Sequence, residues 1–243
     1  VESNENPYDL SGRVVLITGA GKGLGRAFAR AFAGAGAVVA ANDLTPVNLD
    51  ETIAQVRASN GKIQSFLADI AKSMPARALI ADVMDEFGRL DVLINNAGVT
   101  PRADLLRVDE WDWQRTLDVN LSGPMYLIQA GVQAMQPEGG VIINIAGELP
   151  GEHAWPQQAG YYASKAGLAA LTQAAAPELL QHKVRMYAVC PEDTQPGSAP
   201  VDESSYLPVT QLALELCRLT DAGPVGQVLH PGSIDRHTSW TRP

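Results

Sequence analysis

"RVVLITGAGKGLGRAFARAFAGAG", residues 13–36, decides how the rest of the chain is read. Residues 13–19 form a short apolar run closed by glycine, and Leu24, Phe28, Ala31 and Phe32 then recur at helical spacing. The stretch predicts a strand, a glycine turn and a helix. Glycines at that junction let the backbone approach a pyrophosphate held at a helix N-terminus, which makes Gly19, Lys22, Gly23, Leu24 and Gly25 candidate dinucleotide contacts. Glycine also marks any tight turn, so it is the placement in the first strand-helix unit that favours binding.

Working outward, the same alternation repeats. Strands are expected at 37–43, 63–69, 90–98, 139–147, 183–191 and 226–231, with helices near 48–60, 74–87, 109–136, 160–182 and 206–219 between them. Seven strands alternating with helices predict a doubly wound α/β domain, a parallel sheet of the Rossmann type covered on both faces. Pro177 falls inside a helix, where it removes a hydrogen bond and is expected to kink it. The Pro-, Ser- and Asp-rich residues 191–208 read as a mobile loop, and 1–9 and 232–243 as an extension and a tail of a single domain spanning 1–243.

Composition excludes several classes. The chain has 243 residues, 46% of them hydrophobic, enough for a sizeable core. Its formal net charge of −9, without clustered Lys or Arg, argues against nucleic-acid binding. Cys190 and Cys217 match neither a disulfide framework nor a metal-ligand spacing, so no metal is expected. No apolar stretch is long enough to cross a bilayer and the first ten residues are unlike a signal peptide, so the expected location is cytoplasmic.

Asp43 closes the second strand, about 20 residues beyond the glycines, where a carboxylate accepts hydrogen bonds from an adenosine ribose and repels a 2′-phosphate. That favours NAD over NADP. Lys22 pulls the other way, but no Arg or Lys follows Asp43 in "DLTPVN". Tyr161 and Lys165 are one helical turn apart in "YYASK", and an ammonium near a phenol is expected to lower its pKa and make it a usable acid or base. Tyr162 is a rival, but only Tyr161 has the right gap to Lys165.

Together "TGAGKGLG", Asp69-Ile70, "NNAG" at 95–98, Asn120 in "LDVNLSG" and "YYASK" resemble the short-chain dehydrogenase/reductase family, from about Leu10 to about Pro231. The resemblance implies an oxidoreductase acting on a small carbonyl or alcohol substrate, of 3-oxoacyl-reductase-like type, assembled as a homodimer or homotetramer. It implies adenine contacts at Asp69 and Ile70, and contacts to the adenine ribose and nicotinamide side at Asn96, Ala97 and Gly98. Tyr161 would be the catalytic acid or base, Lys165 would hold the nicotinamide ribose, and Asn120 would bind a water through its helix backbone and pass protons from Lys165 to solvent.

The chain also departs from that pattern. Family members place a Ser after the fifth strand to hold the substrate oxygen; here the strand puts Gly147 there, and counting back thirteen residues from Tyr161 gives Glu148. From Gly123 to Ala163 there is no Ser or Thr. Substitutes would be a backbone N–H at Gly147 or Glu148, the His153 side chain or a protonated Glu148. Ordinary roles are expected for Gly147, Glu148, Glu152 and His153, as turn, solvated or surface residues. Tyr187 and Glu192 replace a usual Asn and Gly, and the shortened 191–208 segment is expected to leave the substrate side open. Trp111, Trp113 and Trp155 are candidates for an apolar pocket, packing being the expected role of the first two. Two functions follow: an NAD(H)-dependent alcohol–ketone oxidoreductase, placed first, or a catalytically impaired dinucleotide-binding partner or structural subunit.

Overall fold

A computed structural model describes residues 8–147, 155–191, 203–219, 223 and 225–231. Seven strands, β1 (Val14–Thr18), β2 (Val38–Asp43), β3 (Lys62–Leu67), β4 (Val92–Asn95), β5 (Gly140–Ile145), β6 (Val184–Val189) and β7 (Val228–Leu229), pair in parallel in the order β3-β2-β1-β4-β5-β6-β7. The helices are α1 (Gly23–Gly34), α2 (Pro46–Ala58), α3 (Ser73–Phe87), α4 (Glu110–Leu117), α5 (Gly123–Ala134), α6 (Ala159–Leu179) and α7 (Leu207–Arg218).

The strand pattern explains why both faces are covered. Successive strand residues point to opposite faces. Val15 and Ile17 of β1 pack with Phe28 and Phe32 of α1 and Leu212 of α7. Val14 and Leu16 pack on the other face with Leu79 and Val83 of α3 and Leu127 of α5. A strand apolar at every position can rest only between two helical layers.

The expected long helix near 109–136 is interrupted. Between α4 and α5, Asp118–Ser122 widens into a single π turn, with the Gly123 N–H donating to the Asp118 carbonyl. Such turns often mark functional positions, and this one contains Asn120. Helix α6 runs through Pro177 and ends two residues later, tightening into a 3₁₀ turn at Leu180–His182.

Below the sheet, at the N-terminal edge of β1, Asp91 is 5% exposed and accepts bonds from Arg13, Arg89 and the Val14 N–H. Burial works against its ionisation, but the bonds from Arg89, Val14 and Arg13 outweigh it and hold its carboxyl below the usual range. Cys190 is buried and Cys217 half-buried. No described helix is long and apolar enough to cross a membrane, and the described residues contain no group of side chains fit to hold a metal.

Candidate active site

The strand order reverses direction between β1 and β4, and a crevice at such a switch point is where doubly wound sheets take ligands. Its floor is one clasp. Thr18, fully buried, accepts at its hydroxyl from the backbone N–H of Asn96 at 3.0 Å and of Ala97 at 3.1 Å. The Asn96 amide returns bonds to the carbonyls of Thr18 at 2.9 Å and Gly19 at 3.2 Å. Asn96 therefore spends its amide on the frame, leaving the backbone of 96–98 to border a ligand.

The glycine turn is shaped by close approach. Gly19 sits at φ +65°, and a Cβ there would lie 2.8 Å from the Ala97 Cα. Lys22, exposed, precedes α1, whose first turn has no side-chain cap. Uncapped N–H groups at Gly23 to Gly25 are what an anionic diphosphate requires. Leu24 turns instead toward the core, where it is partly buried. Asp43, at the end of β2, accepts from the N–H of Gly21 at 3.0 Å and of Leu44 at 2.7 Å, which sets its carboxylate at the rim of the turn. The neighbouring Arg26 is committed to the Gly21 carbonyl, Glu51 and Thr52. A dinucleotide thus fits the residues present: donors for its phosphates, and a carboxylate for its ribose.

Two expected adenine contacts are arranged less simply. The Asp69 carboxylate is paired with Arg115 of α4 at 3.3 Å and accepts from the Ala71 N–H at 3.2 Å. Ile70 is 5% exposed and packs its side chain into the core, and its carbonyl lies against Gly123 of α5.

On the other side of the crevice, α6 carries Tyr161 and Lys165. Lys165 is 4% exposed and donates to the Ile145 carbonyl at the end of β5 at 2.5 Å; its Nζ lies 5.9 Å from the Tyr161 ring centroid. Burial drops the ammonium to about 8, against a small opposing effect of Cys190. Burial raises the Tyr161 phenol to about 12, with Tyr162 and Cys190 adding to it. The expected lowering of the phenol by the ammonium is thus corrected. Desolvation is the largest cause at both groups, and it weakens the cation as well.

Asn120 joins the two sides. Its Oδ1 accepts from the Val99 N–H at 2.8 Å, and its Nδ2 donates to the Val99 carbonyl at 2.9 Å and to Ser164 Oγ at 3.0 Å. Ser164 in turn donates to the Tyr161 carbonyl at 2.7 Å. Both amide protons of Asn120 are used, so any water it binds is held by its backbone in the π turn. Gly98 stays open beside this group: a Cβ there would lie 3.3 Å from Asn120 Oδ1 and 3.7 Å from Lys165 Nζ.

Gly147 faces the same group, since a Cβ on it would lie 3.1 Å from the Lys165 Cβ and 4.0 Å from the Tyr161 ring. Glu148, Glu152, His153 and Glu192 lie outside the described residues, as does most of the 191–208 segment. Trp111 is 71% exposed and Trp155 46% exposed, while Trp113 packs 3.5 Å from where a Gly160 Cβ would be. Sequence reasoning passed over Thr18, Ser164 and Arg115. Ser164 stands inside the quoted "YYASK" and could have been found there.

A sequence profile described as short chain dehydrogenase matches residues 13–203. The chain belongs to the short-chain dehydrogenase family. The 3-oxoacyl-[acyl-carrier-protein] reductase of Thermotoga maritima is 37% identical over 183 residues, 75% of this chain and 74% of that one. Among solved short-chain dehydrogenases, one from Mycobacterium smegmatis superposes with a TM-score of 0.82 at 32% identity, covering 93% of each chain. A metagenomic short-chain oxidoreductase in complex with NADP gives 0.75 at 35% identity, covering 85% of this chain and 91% of that one. Membership makes the chain an oxidoreductase-type Rossmann protein whose coenzyme is a nicotinamide dinucleotide.

Proposed function

We propose that the chain interconverts a secondary alcohol and a ketone with NAD(H), Tyr161 serving as general acid and base. The carrying observation is the buried set in which Asn120 and Ser164 fix the backbone of Tyr161 while Lys165 stands on the same helix face. A bound nicotinamide dinucleotide supplies or accepts the hydride. The Tyr161 hydroxyl gives a proton to the forming alkoxide in reduction and takes it back in oxidation. Lys165, with its Nζ on the Ile145 carbonyl, keeps further donors for a ribose hydroxyl. In the crevice, Gly19, Lys22, Gly23 and Gly25 receive the diphosphate, and Asn96, Ala97 and Gly98 border the nicotinamide side.

The preference for NAD rests on Asp43. Its carboxylate stands at the rim, and the adjacent Arg26 is already engaged, which leaves Lys22 as the cation nearest a 2′-phosphate in sequence. The 3-oxoacyl-[acyl-carrier-protein] reductase relative supports a 3-oxoacyl thioester as one substrate class. One observation favours the second reading, a coenzyme-binding protein with little turnover: Gly147 brings no hydroxyl to the Tyr161 side of the crevice.

The test follows NADH absorbance against ketones, 3-oxoacyl thioesters and diketones, with NADPH in parallel and Tyr161→Phe as control. Turnover that falls by about 10²- to 10⁴-fold in Tyr161→Phe, with NADH affinity retained, supports the proposal. Turnover indifferent to Tyr161, or tight NADH binding with no turnover on the whole panel, goes against it.

A further inference from the structure

The buried polar side chains the mechanism leaves unused include one beside the site. Gln158 is 2% exposed, and neither its Oε1 nor its Nε2 has a hydrogen-bond partner among the described residues. A buried amide with no partner is rare, because both its donors and its acceptor have given up water for nothing. Such a group is expected where a protein keeps it ready for something else.

Its place indicates what that is. Gln158 precedes α6 as its N-cap residue, three positions before Tyr161, so the two residues bracket the first turn of that helix. The segment it belongs to is tied to the wall of the crevice. The Ala103 N–H donates to the Gln157 carbonyl at 3.1 Å, and the Gln157 amide donates to Asp104 at 3.2 Å. That wall is pinned by Asn120 through both backbone groups of Val99. Thr100, the next residue, also buries a hydroxyl with no partner among the described residues. Two unpaired polar side chains therefore sit on segments joined by the bond from Ala103 to Gln157, and Gly147 brings no donor to the Tyr161 side.

We propose that the Gln158 side-chain amide donates the hydrogen bond that holds the substrate's reacting oxygen in front of Tyr161. Glutamine has three rotatable side-chain bonds, so its amide turns toward a ligand without backbone movement. A neutral amide also suits the task, because it stabilises an oxygen gaining negative charge and holds no proton that would compete with the Tyr161 transfer. This rests on the alcohol–ketone reading above and names the group that positions the oxygen.

The test uses trifluoroethanol, an acidic alcohol that resists oxidation, titrated calorimetrically into the protein with saturating NAD, and in parallel with NADP. Gln158→Leu and Gln158→Met remove the donor at similar volume. The expected result is trifluoroethanol affinity at least about 10-fold weaker in both variants, with unchanged coenzyme affinity and a melting temperature equal to or above that of the parent, since an apolar side chain suits a buried site better than an unpaired amide. Unchanged trifluoroethanol affinity overturns the proposal, as does failure of the parent to bind it, or failure of both variants to fold, which would make Gln158 structural. Gln158-dependent binding without turnover on the ketone panel would sink the catalytic reading and leave this one standing; Tyr161-dependent turnover with unchanged trifluoroethanol affinity in the variants would do the reverse.

Discussion

Asn120 Nδ2 donates to Ser164 Oγ at 3.0 Å, and through that hydroxyl the π turn between α4 and α5 is coupled to the backbone carbonyl of Tyr161. Both residues are fully buried. Ser164→Ala leaves one Asn120 proton and the Tyr161 carbonyl without this partner, so stability should fall by about 1–3 kcal/mol. Urea unfolding of the two proteins measures the loss, and an unchanged midpoint would contradict the coupling.

Lys165 gives the fold a pH signature. Burial lowers it from 10.5 to about 8 in the folded chain. Below pH 8 both states carry the proton and the folded state bears the full cost of burying it. Between about 8 and 10.5 the unfolded chain binds a proton that the folded chain has released, so stability rises with pH across that window. Tyr161 acts oppositely at higher pH: raised from 10 to about 12, it keeps a proton that the unfolded chain loses, and stability falls there. Unfolding titrations of Lys165→Met should lack the rise above pH 8 seen in the parent.

The proposed preference for NAD rests on the Asp43 carboxylate. Asp43→Asn keeps an oxygen for the Gly21 N–H but removes the charge that strengthens bonds to a ribose and repels a 2′-phosphate. The ratio of NAD to NADP affinity should drop by about 10- to 100-fold, the span of a hydrogen bond to a charged group. Fluorescence titration with NADH and NADPH reads the ratio directly.

At Gly147 a side chain is restricted by Lys165 and not by the backbone. A Cβ 3.1 Å from the Lys165 Cβ requires the lysine stem to move by a few tenths of an ångström. Gly147→Ser is therefore expected to fold with a small loss of stability. It should raise kcat/KM by up to about 10²-fold, the lower end of what one oxyanion donor contributes. Steady-state kinetics beside a thermal melt separates the two effects.

Much of this was legible in the chain because periodicity and glycine placement act locally. "RVVLITG" reads as a strand, its burial on both faces follows from the alternation of strands and helices, and the structure gives Val14–Thr18, with the sheet and its seven strands as expected. Tyr161 and Lys165 were readable because four residues on a helix is a fixed distance. What sequence hid was long-range. Nothing in "DI" at 69–70 reveals that Asp69 is paired with Arg115, 46 residues later. Nor does helical spacing show that the 109–136 stretch widens at Asn120, or that burial raises the Tyr161 phenol. Those depend on which surfaces meet once the sheet has closed.

The Thr18–Asn96 clasp has a calorimetric consequence. Because the two halves of the crevice are already stitched together at its floor, coenzyme docking has no seam to order there. Its heat-capacity change should then scale with the apolar area covered by the ligand alone, without the larger negative term that accompanies a segment folding as it binds. Temperature-resolved titration of the coenzyme measures that change, and a small value would mark the crevice as a rigid receptor, prepared in advance by a threonine hydroxyl and an asparagine amide already bonded to the opposite segment.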